Sequence, residues 1–157
     1  MNDSPNFDKG LAHRYFSADC FNRTWALIEK SGRSPADDEQ MLLLTLASLW
    51  HWTQRDDCGD RSLSIGYWQV SRVYALRGEG RNALQFAETC LRYSQNQPPF
   101  FLAYAHEAIA RAAVLNGETS RANNHIAEAR RLATQVADPE ERTALEKDLD
   151  TICPPVP

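Results

Sequence analysis

Cysteine is scarce in this sequence and never paired: Cys20, Cys58, Cys90 and Cys153 form no C-x-x-C motif. A chain of 157 residues does not need cross-links to fold, so all four read as free thiols, with Cys90 as core filler. No apolar run is long enough to span a bilayer, and the opening MNDSPNFDKG has neither a basic segment nor an apolar stretch. Neither a membrane span nor a signal peptide is expected, and the expected location is the cytoplasm. Positive charge is also short. A formal net charge of −4, with arginines spread along the chain, argues against a nonspecific nucleic-acid binder, which needs a basic face to displace counterions. Missing too are G-x-S-x-G, a glycine-rich phosphate loop after a strand, and a Cys-His signature. No catalytic residue is therefore assigned, no cofactor is implied, and a non-enzymatic role is expected.

What the chain does have is apolar residues at the helical period. With 43% apolar and 24% charged residues, it has the composition of one soluble globular domain. Phe7, Leu11, Tyr15, Phe21, Trp25 and Ile28 predict a first helix to about Lys30, ended by Ser31-Gly32. Ser34-Pro35-Ala36-Asp37 is an N-cap, a proline at the first helical position and an acid at the third, so a second helix starts there. Its body, MLLLTLASLWHW, is apolar nearly all round and predicts contacts on more than one side. A third helix runs from near Ser62 to Arg77 and a fourth to about Ser94. Pro98-Pro99 then open a fifth that reaches Gly117, and Thr119 or Ser120 is the expected cap of a sixth. Asp138-Pro139-Glu140-Glu141 repeats the cap signature and opens a short polar seventh helix, stopped by Cys153-Pro154-Pro155.

Within this pattern, Tyr67, Val70, Ser71 and Tyr74 form one stripe, Gly78-Glu79-Gly80 breaks it, and Ala83, Leu84, Ala87, Cys90 and Leu91 restart it. That is a helical hairpin on a glycine turn. The plan recurs 39 residues later, where Gly117 corresponds to Gly78 and Ala122 to Ala83. Repetition of a two-helix unit on this scale marks an α-solenoid. These residues resemble the tetratricopeptide repeat (TPR) over Ile65 to Tyr93 and again over Tyr104 to Leu132, where His106, Ile109, Ala110, Gly117, Ala122 and Ala129 take the repeat's places. The match departs from the family at Gly80, where an aromatic is usual, at Ala113, where a tyrosine is usual, in the missing closing proline, and in a spacing longer than about 34 residues. The chain as a whole also resembles small bacterial proteins of this size, a likeness that brings no activity with it. The expected fold is all-α, a right-handed stack of antiparallel helical hairpins of about seven helices. It forms a single domain with hairpins at about 7–57, 60–95 and 98–136 and a capping helix at 138–152.

The resemblance implies a binding module for a protein or peptide, with a concave groove lined by Trp68, Arg72, Tyr104, Glu107 and Arg111. These suit an acidic chain end. An ion-pair ladder among Arg72, Glu107 and Arg111 is the equally open structural reading. His51, inside the cluster Trp50-His51-Trp52, is a further ligand-binding candidate. One tryptophan of that cluster faces a groove or partner, or else both cover a central helix. An alternative of another class is a small-molecule binder or enzyme with a closed pocket near His51, Trp68, Arg72 and Glu107; a third possibility is a homodimer made through an apolar rim. His125 and Glu128, three apart on one helix, with Glu107 nearby, sketch a metal site. Too few ligands converge for one to be expected, and His125 is read as a boundary residue. Phe100-Phe101, if exposed, would mark an interface.

Overall fold

A computed structural model describes residues 6–153; the first five residues and the stop signal Pro154-Pro155 lie outside the described part. Among the described residues there are seven α-helices and no strand: α1 Lys9–Glu29, α2 Pro35–Thr53, α3 Asp60–Leu76, α4 Gly80–Ser94, α5 Pro99–Leu115, α6 Thr119–Ala133 and α7 Pro139–Asp150. No helix among them is long and apolar enough to cross a membrane. The residues form two compact units, one ending at Gly59 and the other beginning at Asp60.

In the first unit α2 packs on α1. The start of α2 is the expected one: Ser34 Oγ accepts from the Asp37 amide, Asp37 accepts from the Ser34 amide, and Pro35 is the first helical residue. The unit's buried residues mix the apolar Met41 and Leu49 with small and polar side chains, Ser17, Cys20, Thr24, Thr45 and Ser48. Ser48 Oγ donates to the Ser17 carbonyl at 2.8 Å and Thr24 Oγ1 to the Cys20 carbonyl at 2.8 Å. Several large apolar residues remain outside: Leu11, Tyr15, Leu43 and Trp50 are all more than half exposed. The apolar circumference of α2 thus leaves a water-facing side in addition to the one that meets α1.

In the second unit α3 pairs with α4 and α5 with α6, α5 also packs on α3 and α4, and α7 closes against α5 and α6. The two hairpins turn in the same way. The amide of Gly78 donates to the Ala75 carbonyl and that of Glu79 to Tyr74, while Gly117 donates to Val114 and Glu118 to Ala113. This is the Schellman arrangement, which needs a left-handed residue at its corner; the φ values of Gly78 and Gly117, +76° and +74°, supply it. One expected cap differs. Thr119 is already helical, and the N-cap is Glu118, which makes no side-chain cap bond; Glu79 holds the same position in the preceding hairpin.

Small residues set the spacing of this unit. Ala83, Ala87, Ala110, Ala122 and Ala129 are fully buried, and Ser71 Oγ donates to the Ala83 carbonyl at 2.8 Å, which brings α3 and α4 close. Gly80, where the repeat family carries an aromatic, is buried for a different reason. The Asn116 side chain donates to its carbonyl at 3.1 Å, and a Cβ there would run into the Asn116 oxygen and come within 2.9 Å of Leu115 Cβ. The first turn of α4 lies directly on the α5–α6 turn. Farther along, Leu132, Val136, Leu145, Leu149 and Ile152 join Ala103 and Ala110 in one apolar cluster that seats α7.

Overpacking these contacts has a cost that exposed positions do not share. Gly80→Ala, Ala83→Leu and Ala122→Leu should each destabilise the fold by about 1–3 kcal/mol, whereas Ala127→Leu, at an exposed position of α6, should change it little. Urea unfolding of the four variants checks this; equal tolerance would mean the helices are not spaced by these residues.

Candidate functional site

Five of the six residues singled out in the sequence meet in the second unit, around a carboxylate taken out of water. Glu107 on α5 is 1% exposed. Its Oε2 accepts from the Trp68 indole N–H at 3.0 Å, and its Oε1 accepts from Arg111 Nε at 2.7 Å, with Arg111 Nη2 at 2.6 Å. Helix periodicity accounts for the second contact, since Glu107 and Arg111 are four apart on one face. The first follows from the repeat, because Trp68 and Glu107 are 39 residues apart and hold equivalent positions in the two hairpins. Arg72, one turn beyond Trp68, reaches Oε1, the oxygen that Arg111 holds, at 3.5 Å.

A second carboxylate enters from α7, and nothing in the local sequence pattern signals it. Asp148 accepts from the Tyr104 hydroxyl at 2.9 Å and lies 3.9 Å from Arg72 Nη2. Arg111 Nη2 donates to the Asp148 carbonyl at 3.1 Å and to Thr151 Oγ1 at 2.9 Å, so it ties α5 to the end of α7. Tyr104 also sets its ring edge-on to Trp68, with centroids 5.4 Å apart. Burial, reinforced by the charge of Asp148, pushes the Tyr104 hydroxyl well above its ordinary range, so it acts as a hydrogen-bond donor. Burial is also the largest influence on Arg72 and lowers its proton affinity, against which the Glu107 charge works.

The arrangement joins the two sequence readings. Trp68 is only 8% exposed and donates its indole N–H to the buried carboxylate. Glu107 is in contact with both Trp68 and Arg72. A hollow of about 360 Å³ does exist in this unit, but it is lined by Arg81, Leu84, Gln85, Glu88, Asn116 and Glu118, and none of the sequence candidates borders it.

His51 lies in the first unit, where its Nδ1 is 2.8 Å from Nδ1 of His13. Of its neighbours, Trp50 is 55% exposed while Trp52 is half-buried beneath the Arg55 guanidinium, 3.7 Å from the ring centroid. Phe100 and Phe101 are both half-buried; Phe100 leans on Tyr104. His125 is paired with His106 and Glu128 with Arg131. Among the described residues no group of three or more His, Cys, Asp or Glu side chains is placed to hold a metal. The Cys90 thiol is fully buried between Ser64 and Ser94, and burial pushes it up to about 12, where it remains protonated and a poor nucleophile.

Removing a single partner of a buried ion pair leaves the remaining charges uncompensated, which costs about 3–5 kcal/mol. Glu107→Ala should destabilise the second unit by that amount in equilibrium unfolding followed by tryptophan fluorescence; a loss under about 1 kcal/mol would mean the cluster is solvated and does not organise the core. Compared with models of protein families, with curated proteins and with solved structures, the chain matches none of them.

Proposed function

We propose that this chain is a non-enzymatic, TPR-like binding module of the cytoplasm, a stack of helical hairpins that takes up an acidic segment of a protein or peptide through the α3–α5 side of its second unit. The observation that supports it is the unequal hold on the two arginines. Arg111 is fixed by contacts of 2.6 to 3.1 Å. Arg72 has its nearest carboxylate oxygens at 3.5 and 3.9 Å, although both arginines keep the same 16% of the side chain exposed. A guanidinium has five N–H donors in a planar fork suited to a carboxylate, and Arg72 commits none of them to a short bond. Asp148 shows that a carboxylate fits beside it. An incoming aspartate, glutamate or chain-terminal carboxylate would complete the fork from the solvent side, with Trp68 and Tyr104 as its rigid floor.

Titration of fluorescent acidic peptides bearing a free terminal carboxylate tests this reading. Wild type should bind them more weakly as salt rises, and Arg72→Ala should lose affinity at least about tenfold, the equivalent of about 1.4 kcal/mol, with a nearly unchanged melting temperature. If no acidic peptide binds, or if Arg72→Ala unfolds the protein and leaves binding by its folded fraction intact, Arg72 is a structural ion-pair partner alone.

A homodimer is a second reading, favoured by the exposed Leu11 and Tyr15, four apart on α1, and Leu43 and Trp50, seven apart on α2. Sedimentation should then give twice the chain mass, and Tyr15→Glu or Trp50→Glu should return it to the monomer.

A further inference from the structure

All four histidines of the chain are used in the same way, and neither the fold nor the proposed site explains why. His13 of α1 meets His51 of α2, and His106 of α5 meets His125 of α6, each pair with Nδ1 atoms 2.8 Å apart. The second pair spans the α5–α6 hairpin, half-buried, with its rings tilted by 32° and their centroids 5.0 Å apart. At that separation one Nδ1 must donate and the other must accept, which is possible only while at least one ring is neutral. A doubly protonated pair would set two N–H donors against each other at contact distance.

We propose that the His106–His125 contact is a proton-operated latch on the α5–α6 hairpin: closed while the pair shares one Nδ1 proton, and opened when a second proton is taken up in mildly acidic solution. The surrounding charges do not offset this. From α4 comes Glu88, and from α6 come Arg121, Glu128 and Arg131. The two carboxylates would favour a charged ring, but Glu128 is held by Arg131 through bonds of 2.8 and 2.6 Å and Glu88 is paired with Arg121. The charged groups of α3 and α7 nearest α5, Arg72 and Asp148, gather around Glu107 instead.

Burial, with the neighbouring His125, holds His106 below its ordinary value of 6.5; burial, with Arg121, does the same for His125. For a histidine whose folded value is depressed, the unfolded chain binds more protons. The contribution to stability is therefore complete above about pH 6.5 and is lost as pH falls below it toward the folded values. The first pair gives a parallel effect in its own unit, with His51 lowered by burial and His13.

The test uses the full chain carrying His13→Gln and His51→Gln, so that one latch remains. Between pH 7.5 and 5.5 its melting temperature should fall by about 5 °C or more, and adding His125→Gln should remove at least half of that fall, because a single imidazolium then faces a neutral amide. An equal fall with and without His125 would overturn the proposal. Should these variants fail to fold, ring-nitrogen magnetic resonance of the wild type decides. Coupled titration of His106 and His125 below 6.5 supports the latch; independent titration at 6.5 or above refutes it.

Discussion

A single ionised carboxylate inside an alanine-lined core constrains the second unit more than any other group. Glu107 cannot keep its charge there unless donors surround it, and they come from specific places: the Trp68 indole from α3, and Arg111 from its own helix. Arg111 then uses its remaining donors on the last turn of α7. One buried charge thus fixes the register of α3 against α5 and the seat of α7 on α5. Its value lies less in net stability, since apolar residues can fill such a space equally well, than in the penalty it places on any packing that leaves it unpaired. The alanine and serine spacing of the helices allows the short reach that this pairing demands.

The same cluster explains how a structural ladder and a recognition site can share residues. Arg111 is held closely through its Nε and Nη2. Arg72, from α3, faces Glu107 and Asp148 at longer range. Under the proposed function, structure and binding are separable by residue: Arg111 maintains the fold, and Arg72 meets the incoming carboxylate. Trp68 and Tyr104 hold the surroundings of Arg72 rigid, so a carboxylate arriving there would lose little to reordering of the protein.

Local sequence carried the helices, their starts at Ser34 and Asp138 and their glycine ends, because each of these is decided by neighbours within one turn. The repeat offset of 39 residues was legible for the same reason, and it placed Trp68 opposite Glu107. What escaped was everything set by contacts between helices distant in sequence. Asp148 looked like one more charge on a polar helix, yet its position on α7 makes it the second carboxylate of the cluster. The histidine pairs join residues 38 and 19 apart in the chain, distances that no helical period encodes. Gly80 read as a mere departure from a repeat pattern, and only the approach of Asn116 shows that a side chain there has no room.

The central claim is the division of labour between the two arginines around Glu107, and a pair of double-mutant cycles measures it directly. The account requires a coupling free energy on the order of 2 kcal/mol between Arg111 and Glu107, and less than about 1 kcal/mol between Arg72 and Glu107. Equal couplings for the two arginines would contradict it.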